Sequence, residues 1–322
     1  MTAHCRERCA RQEPYGDDAT YGRMRLLAAS VIVFAALATP GLAAAQPSPA
    51  SGPDAALATL SSGYRPQPAA ACTRPKYDSM QGVTLLFGGA ETAPTNSVLL
   101  APANPRNAPA VLWVHWLGEP ATTNHTEFMS DAQELAKHGV VSLLVDMPWS
   151  QKGWFTGIRT PETDYAETIA QVMTLRRALD CLTAVPGVDR SRIAYVGHDF
   201  GAMDGALLLA IDDRPQYAVL MTPTLSFWEW YLLGKQPADP AAYVARMSAF
   251  DLPAWLAKGK QKATLLQFAS NDEYVAQSTG VAFRNATPNR DRTFKAYRLD
   301  HALDDVTAHD DRRTWLLQHL GI

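Results

Sequence analysis

From Lys76 to the end of the chain, short apolar runs alternate with longer segments in which apolar residues recur every three or four positions. The short runs are typical of buried strands, and the longer segments are typical of amphipathic helices. Strands that alternate with helices in this way form a mostly parallel sheet with helices on both faces. The pattern therefore predicts an α/β domain with eight strands, at Val83–Phe87, Val98–Ala101, Val111–His115, Val140–Asp146, Arg192–Val196, Ala218–Met221, Thr264–Phe268 and Phe294–Leu299.

Several of the helical segments have ends that can be read from the sequence. The helix predicted over residues 126–137 stops just before Gly139, which suits a left-handed residue after a helix. Asp164 and Glu167 have the spacing of a capping box, which predicts that Asp164 caps a long helix. A last helix is predicted over residues 304–320. These helices supply the crossovers that a parallel sheet requires.

The first 45 residues follow a different pattern. Arg23 and Arg25 precede an apolar run over residues 26–38, and alanines follow at positions 43–45. A basic start, a short apolar middle and small residues at the cleavage site are typical of a secretory signal peptide. We therefore expect residues 1–45 to be a signal peptide with an over-long N-terminus, and the protein to be secreted or periplasmic. The apolar run is short for a membrane span, so stable membrane insertion after cleavage is not expected, and a retained anchor is the alternative.

The part of the chain after the signal peptide contains two cysteines, Cys72 and Cys181. Residues 46–75 are rich in Pro, Ala and Ser and predict a flexible leader to a folded domain over residues 76–322. An oxidising compartment favours a disulfide between the leader's end and a helix. Sequence spacing alone cannot bring two cysteines within bonding distance, so a disulfide and two separate buried thiols both stay open.

Composition narrows the class of protein further. The chain has 322 residues, 47% of them apolar and 19% charged, which excludes a disordered chain. Its 29 Lys and Arg against 32 Asp and Glu provide no basic field for nucleic acid. The histidines show no ligand spacing with Cys or carboxylates, so neither a metal nor a cofactor is expected. We expect a small-molecule substrate, and the oligomeric state stays open.

The most informative stretch is a buried strand that runs into Gly197-His198-Asp199-Phe200-Gly201, followed by a helix rich in small residues. A sharp turn from a strand into a helix strains its central residue. It also leaves no room for a side chain on the residue two positions before the central one or on the residue two positions after it. Gly197 and Gly201 meet that requirement. Asp199 is therefore predicted to stand above the carboxyl edge of the sheet, at the N-terminus of a helix.

With this elbow, the sequence resembles the α/β-hydrolase superfamily, and its layout is similar to the dienelactone hydrolase-like branch. The family keeps an acid after a late strand, where this chain has Asp272, and a base before the last helix, where it has His301. Asp272 is favoured over its neighbour Glu273 on position. The resemblance implies the α/β-hydrolase fold, with a small lid between strands six and seven over about residues 222–262.

The elbow residue itself departs from the usual Ser or Cys and resembles the Asp of haloalkane dehalogenases and epoxide hydrolases. That resemblance implies a hydrolase in which Asp199 forms a covalent ester, and His301, oriented by Asp272, activates water to cleave it. The oxyanion hole would use the backbone N–H groups of Phe200 and Leu117. Many dehalogenases have Trp where this chain has Phe200, so halide binding is not implied.

Five of the eight tryptophans fall in loops that follow strands three, four and six, which rim the site in a doubly wound sheet. They predict either an aromatic pocket for a small apolar substrate or core packing beneath a lid: Trp116, Trp149, Trp154, Trp228 and Trp230. Two other functions stay open. One is a dienelactone hydrolase-like or esterase-like enzyme that acts on acyl carbon, and the other is a non-catalytic binding protein on a hydrolase scaffold.

Overall fold

A computed structural model of the chain describes residues 53–62, 64, 66, 72, 83–89, 92–118, 124–288 and 290–322. The predicted signal peptide, residues 1–45, lies outside the described residues, so export stays a prediction. Within the described part of the chain, no helix combines the length and apolar character that crossing a membrane would require.

The centre of the fold is a sheet with the strand order β1-β2-β4-β3-β5-β6-β7-β8. β2 runs antiparallel to both of its neighbours, and every other neighbouring pair is parallel. The predicted mostly parallel α/β architecture is confirmed, and each predicted strand overlaps one of these strands. Their bounds are β1 Val83–Gly89, β2 Thr92–Leu100, β3 Ala108–Val114, β4 Val141–Val145, β5 Val188–His198, β6 Tyr217–Met221, β7 Ala263–Ala269 and β8 Asp291–Tyr297.

Helices cover both faces of this sheet because alternate strand residues point to opposite sides. On β3, Leu112 and Val114 belong to one buried cluster, whereas Val111 and Trp113 belong to another. The first cluster includes residues of the helices Asp164–Thr183 and Phe200–Ile211, and the second includes residues of the helices Met129–Ala136 and Val306–Leu320. The described helices are α1 Pro53–Ser62, α2 Met129–Ala136, α3 Asp164–Thr183, α4 Phe200–Ile211, α5 Phe227–Tyr231, α6 Pro240–Met247, α7 Leu252–Leu256, α8 Gln277–Ala286 and α9 Val306–Leu320.

The segment between β6 and β7 contains α5, α6 and α7, and its role as a lid stays a prediction. At the start of α3 the capping prediction is wrong. The N-cap residue is Thr163, and Asp164 is buried beside Arg159, with its carboxylate accepting a hydrogen bond from the Tyr243 hydroxyl at 2.5 Å. Burial raises the pKa of Asp164 to about 6.

The prediction of a flexible leader is wrong for residues 53–62, which form α1 and pack against the domain. Leu60 is completely buried, and its carbonyl oxygen accepts a hydrogen bond from Arg176 at 2.9 Å. The same guanidinium lies 3.6 Å from the ring centroid of Tyr64. Burial of the apolar side chains of α1 offsets the entropy cost of ordering it, which the high Pro and Ala content does not reveal.

Of the two alternatives for the cysteines, the structure has the disulfide. Cys72 bonds to Cys181, which is completely buried on α3, and the bond joins residues 109 positions apart. The cross-link therefore attaches the N-terminal segment to the same helix that contacts α1.

We expect the Cys72→Ala/Cys181→Ala double variant to unfold at a lower temperature than the wild-type protein. Because the disulfide closes a long loop, its removal should lower the free energy of unfolding by roughly 2–5 kcal/mol. Alanine is used rather than serine because a serine at position 181 would place a hydroxyl group in the core. Thermal unfolding with and without a thiol reductant measures the effect. The reductant should lower the stability of the wild-type protein and leave that of the double variant unchanged; equal sensitivity of both would contradict the prediction.

Candidate active site

The turn between β5 and α4 has the sharp geometry that the glycines predict. A Cβ atom at Gly197 would overlap the carbonyl oxygen of Gly201, and one at Gly201 would overlap that of Val114. Asp199 lies between them with φ 49° and ψ −111°, in a region that L-residues rarely occupy. The surrounding packing holds this strained residue in place, as is common at functional sites.

Asp199, His301 and Asp272 lie together at the carboxyl edge of the sheet. His301 Nδ1 is 2.8 Å from Asp272 Oδ2, and His301 Nε2 is 4.0 Å from Asp199 Oδ1. Asp199 Oδ1 and His301 Nε2 are both buried, and neither has a hydrogen-bond partner within the protein. The sequence therefore identified three side chains that the fold brings together, from positions up to 102 residues apart in the chain.

Backbone groups hold Asp272 in the turn that follows β7. Its Oδ1 accepts hydrogen bonds from the N–H groups of Tyr274 and Val275, each at 2.9 Å. Burial alone would raise the pKa of Asp272, but its hydrogen bond and charge interaction with His301 outweigh burial and hold the pKa below its ordinary value. The neighbouring Glu273 is exposed. Asp272 is therefore an ionised partner that can orient the ring of His301.

The loop after β3, residues 115–118, is called the oxyanion loop here. The Leu117 N–H donates a hydrogen bond to Asp199 Oδ2 at 3.1 Å. His115 fixes the loop, because its Nε2 accepts from the Met147 N–H at 3.0 Å and its Nδ1 lies 2.9 Å from the Trp116 carbonyl oxygen. Burial lowers the pKa of His115, which favours this neutral ring.

The environment of Asp199 makes its carboxyl group unusually weakly acidic. Burial raises its pKa to about 7, although the positive charge of His301 and the backbone N–H groups of Leu117 and Phe200 act in the opposite direction. Asp272 adds a smaller contribution that also raises the pKa. A carboxylate that titrates near neutral pH is available both as a base and as a nucleophile.

Two tryptophans and a tyrosine lie around the ring of His301. The ring centroids of Trp116, Trp230 and Tyr274 lie 5.5, 5.5 and 5.4 Å from that of His301. Two of these, Trp116 and Trp230, are among the predicted pocket residues. Tyr274 was missed, and its position two residues after Asp272 is the signal that could have found it.

The other predicted pocket tryptophans lie elsewhere. Trp149 and Trp154 are buried with their rings 5.4 and 6.1 Å from that of Phe200, which agrees with core packing, the second of the two predicted alternatives. Their side chains are buried in the core behind the elbow, although the residues between them are partly or fully exposed. Trp228 is half-buried against the same core cluster, and its role in a pocket stays a prediction.

The site is closed in this structure. Asp199 has no exposed surface, and only 3% of His301 is exposed. A cavity of about 200 Å³ lies on one side of Trp116 and is lined also by Glu127, Phe128 and Arg312, but Asp199 does not line it. Within the described part of the chain, no group of three His, Cys, Asp or Glu side chains could hold a metal ion.

No family model matches the sequence, and no curated protein does. Among solved structures, acetyl xylan esterase 1 from Thermoanaerobacterium sp. JW/SL YS485 matches with a TM-score of 0.64 at 16% identity, over 83% of this chain and 92% of that chain. The acetyl xylan esterase from Paenibacillus sp. R4 matches with a TM-score of 0.62 at 20% identity, over 83% and 92%. Est1E from Butyrivibrio proteoclasticus matches with a TM-score of 0.58 at 16% identity, over 74% and 99%. The chain has the α/β-hydrolase fold.

On the α/β-hydrolase fold, the chemistry depends on the side chain at the elbow rather than on the architecture. Here the elbow residue offers two carboxylate oxygens in different surroundings. Asp199 Oδ2 faces a backbone donor, and Asp199 Oδ1 faces His301 Nε2. The arrangement can place a nucleophile, a base and a donor for negative charge around one carbon atom.

Proposed function

We propose that the protein is a hydrolase in which Asp199 attacks a small apolar substrate and forms a covalent aspartyl ester. The observation that carries this proposal is the difference between the two oxygens of the carboxylate. Oδ2 accepts the Leu117 N–H at 3.1 Å, whereas Oδ1 has no hydrogen-bond partner and lies 4.0 Å from His301 Nε2. Oδ1 is therefore the oxygen whose lone pair is free for attack.

In the first step, Oδ1 bonds to a saturated carbon atom of the substrate. The bond from that carbon to its leaving group breaks, and the leaving group departs with the bonding electrons. A carboxylate suits this reaction because an alkyl ester is a stable intermediate, whereas attack on an acyl carbon would give an anhydride.

In the second step, His301 Nε2 takes a proton from a water molecule that attacks the Cγ of Asp199. Negative charge develops on Oδ2, where the N–H groups of Leu117 and Phe200 stabilise it. Asp272 stabilises the positive charge that forms on His301. When the tetrahedral species collapses, its bond from Cγ to Oδ1 breaks and His301 returns its proton to Oδ1, which leaves with the alkyl group as an alcohol. The new carboxyl group keeps the oxygen atom of the water and releases the remaining proton to solvent, which restores the carboxylate.

The surroundings of the site favour a compact apolar substrate. Trp116, Trp230 and Tyr274 offer ring surface around His301. Because Asp199 has no exposed surface, the reaction requires these rings to move apart when a substrate enters. Short 1-bromoalkanes and terminal epoxides are therefore suitable probes.

A single turnover in water labelled with heavy oxygen tests the ester intermediate. Enzyme in excess over each probe is allowed to react once, and the peptide that contains Asp199 is analysed by mass spectrometry. We expect one heavy oxygen atom in the Asp199 carboxylate. Turnover without label in that peptide would overturn the covalent mechanism.

The second candidate function is hydrolysis of an ester at its acyl carbon, with Asp199 as a base. It is favoured by the structural neighbours, which are named as esterases. In this reaction Asp199, whose burial raises its pKa to about 7, would accept a proton from water without forming a bond to the substrate.

Replacement of the nucleophile distinguishes the two candidates. If the rest of the site suits acyl transfer, the Asp199→Ser variant is expected to gain cleavage of p-nitrophenyl acetate by roughly tenfold or more over the wild-type protein. The serine would be activated by His301. Loss of all cleavage in Asp199→Ser, together with label in wild-type Asp199, would instead exclude the acyl function. Asp213→Ser, at an exposed carboxylate, is the matched control.

Export is part of the same proposal. It is supported by the signal-peptide pattern over residues 1–45 and by the Cys72–Cys181 disulfide, which is typical of oxidising compartments. Cell fractionation and determination of the mature N-terminus test it, and we expect cleavage after Ala45.

A further inference from the structure

A second set of hydrogen bonds ties the oxyanion loop to the loop that carries His301. Glu127 Oε2 accepts the Trp116 N–H at 2.8 Å, and Glu127 Oε1 is 2.7 Å from His198 Nδ1. His198 Nε2 is 3.0 Å from the carbonyl oxygen of His301. The carbonyl oxygen of His301 can only accept, so His198 Nε2 donates to it, and Nδ1 faces the carboxyl group of Glu127. The chain of contacts thus runs from one side of Asp199 to the other.

We propose that Glu127 and His198 are positioning residues, which hold the oxyanion donor and the base at a fixed separation across Asp199. This inference rests on the proposed function, because it assigns the pair to the hydrolysis of the ester. Neither residue touches the reacting atoms. They act through the main chain of the two segments that do.

The contacts of Glu127 indicate a role in the site rather than in general packing. Both of its carboxylate oxygens bond to residues adjacent to the site, one to the peptide of Trp116 and one to the ring of His198. His198 is completely buried and directly precedes Asp199. The Trp116 ring stacks on the His198 ring, with 5.3 Å between the ring centroids and 12° between the planes, and so covers one face of the imidazole.

The two ends of His301 are held by different residues. Asp272 bonds to the imidazole ring at 2.8 Å and sets its rotation, whereas His198 bonds to the main-chain carbonyl at 3.0 Å and sets the position of the backbone. On the other side, Glu127 holds the peptide next to the Leu117 N–H, which donates to Asp199. A shift of about 1 Å in such groups can cost on the order of 100-fold in rate.

Glu127→Gln tests the pair with a minimal change of shape. A glutamine side chain has one acceptor oxygen, so its NH₂ group must face one of the two donors that Glu127 serves. We expect the rate at which the aspartyl ester is hydrolysed to fall about 10- to 100-fold, and the KM for the probe to change by less than about twofold. Glu134→Gln, on the outer face of α2, is the matched control and should leave both unchanged.

Double-variant kinetics test whether the two residues act as one unit. His198→Gln alone should lower the rate of ester hydrolysis by a similar factor. The rate of the double variant Glu127→Gln/His198→Gln should lie within about twofold of the rate of the slower single variant. Independent, fully additive losses, or a fall in rate matched by an equal loss of folded protein, would overturn the positioning role.

A spectroscopic measurement separates this inference from the proposed function. The pKa of Asp199 is followed through its carboxyl ¹³C resonance in the wild-type protein and in Glu127→Gln. Because the Leu117 N–H favours the charged carboxylate, loosening the oxyanion loop should raise this pKa by about half a unit or more. If no probe leaves heavy oxygen in Asp199 but the pKa rises in the variant, the ester mechanism fails and the positioning role stands. If label enters Asp199 but neither the hydrolysis rate nor the pKa changes in Glu127→Gln, the positioning role is overturned.

Discussion

Asp199→Asn is expected to abolish turnover and, at the same time, to stabilise the protein at alkaline pH. An amide is not a nucleophile and cannot accept a proton from water, so both candidate reactions should slow by about 10⁴-fold or more. The fold should be unaffected, because an asparagine oxygen can still accept the Leu117 N–H and its NH₂ group can donate to His301 Nε2.

The gain in stability follows from the raised pKa of Asp199. In the folded protein this pKa is about 7, against an ordinary value of 3.8 that applies to the unfolded chain. Between these two values the folded state binds more protons, so the free energy of unfolding falls as the pH rises. Ionisation of the buried Asp199 does not affect the free energy of unfolding below about pH 4. Above about pH 7 it lowers the free energy of unfolding by its full amount, about 4 kcal/mol.

The Asn variant does not titrate, so its advantage over the wild-type protein should grow with pH. From pH 5 to pH 8 the increase is expected to be about 3 kcal/mol, since each pKa unit corresponds to about 1.4 kcal/mol. Thermal or urea unfolding at both values measures it, with Asp213→Asn at an exposed carboxylate as the control. An advantage that is the same at pH 5 and pH 8 would show that Asp199 is not the group that titrates.

How much of the site could be predicted depended on whether each feature is a local requirement of the fold. Gly197 and Gly201 could be recognised because any side chain there would overlap backbone atoms of the turn. Asp272 and His301 could be placed by the resemblance to the α/β-hydrolase superfamily, and the fold brings them together because parallel strands end at one edge of the sheet. Leu117, the proposed oxyanion donor, was placed by the same resemblance, in the loop just after β3.

The features that were missed depend on contacts between distant parts of the chain. Glu127 bonds to His198 across 71 positions, and although His198 lies within the elbow, nothing in the local sequence pairs it with Glu127. The N-terminal helix α1 was also missed, since its order depends on burial against α3 rather than on its own composition. For Trp149 the position of its loop at the carboxyl edge of the sheet left a pocket and core packing both open, and only the structure shows that its side chain is buried.

His301→Gln is expected to stop the reaction at the covalent intermediate. Formation of the ester needs only Asp199 Oδ1, but its hydrolysis needs the base that takes a proton from water. Because removal of a catalytic base costs on the order of 10³-fold or more, the ester should form and persist. Whole-protein mass spectrometry after exposure to 1-bromobutane should show one added butyl group, and peptide analysis should place it on Asp199.

The same variant also separates the two candidate functions, because a base mechanism has no covalent intermediate to trap. His138→Gln, at an exposed histidine on the loop after α2, is the control and should turn over like the wild-type protein without an adduct. If His301→Gln hydrolyses the probes as fast as the wild-type protein, His301 is not the base. An adduct that forms on Asp199 in His301→Gln, and is absent in Asp199→Asn/His301→Gln, would establish that the carboxylate at the elbow reacts directly with carbon.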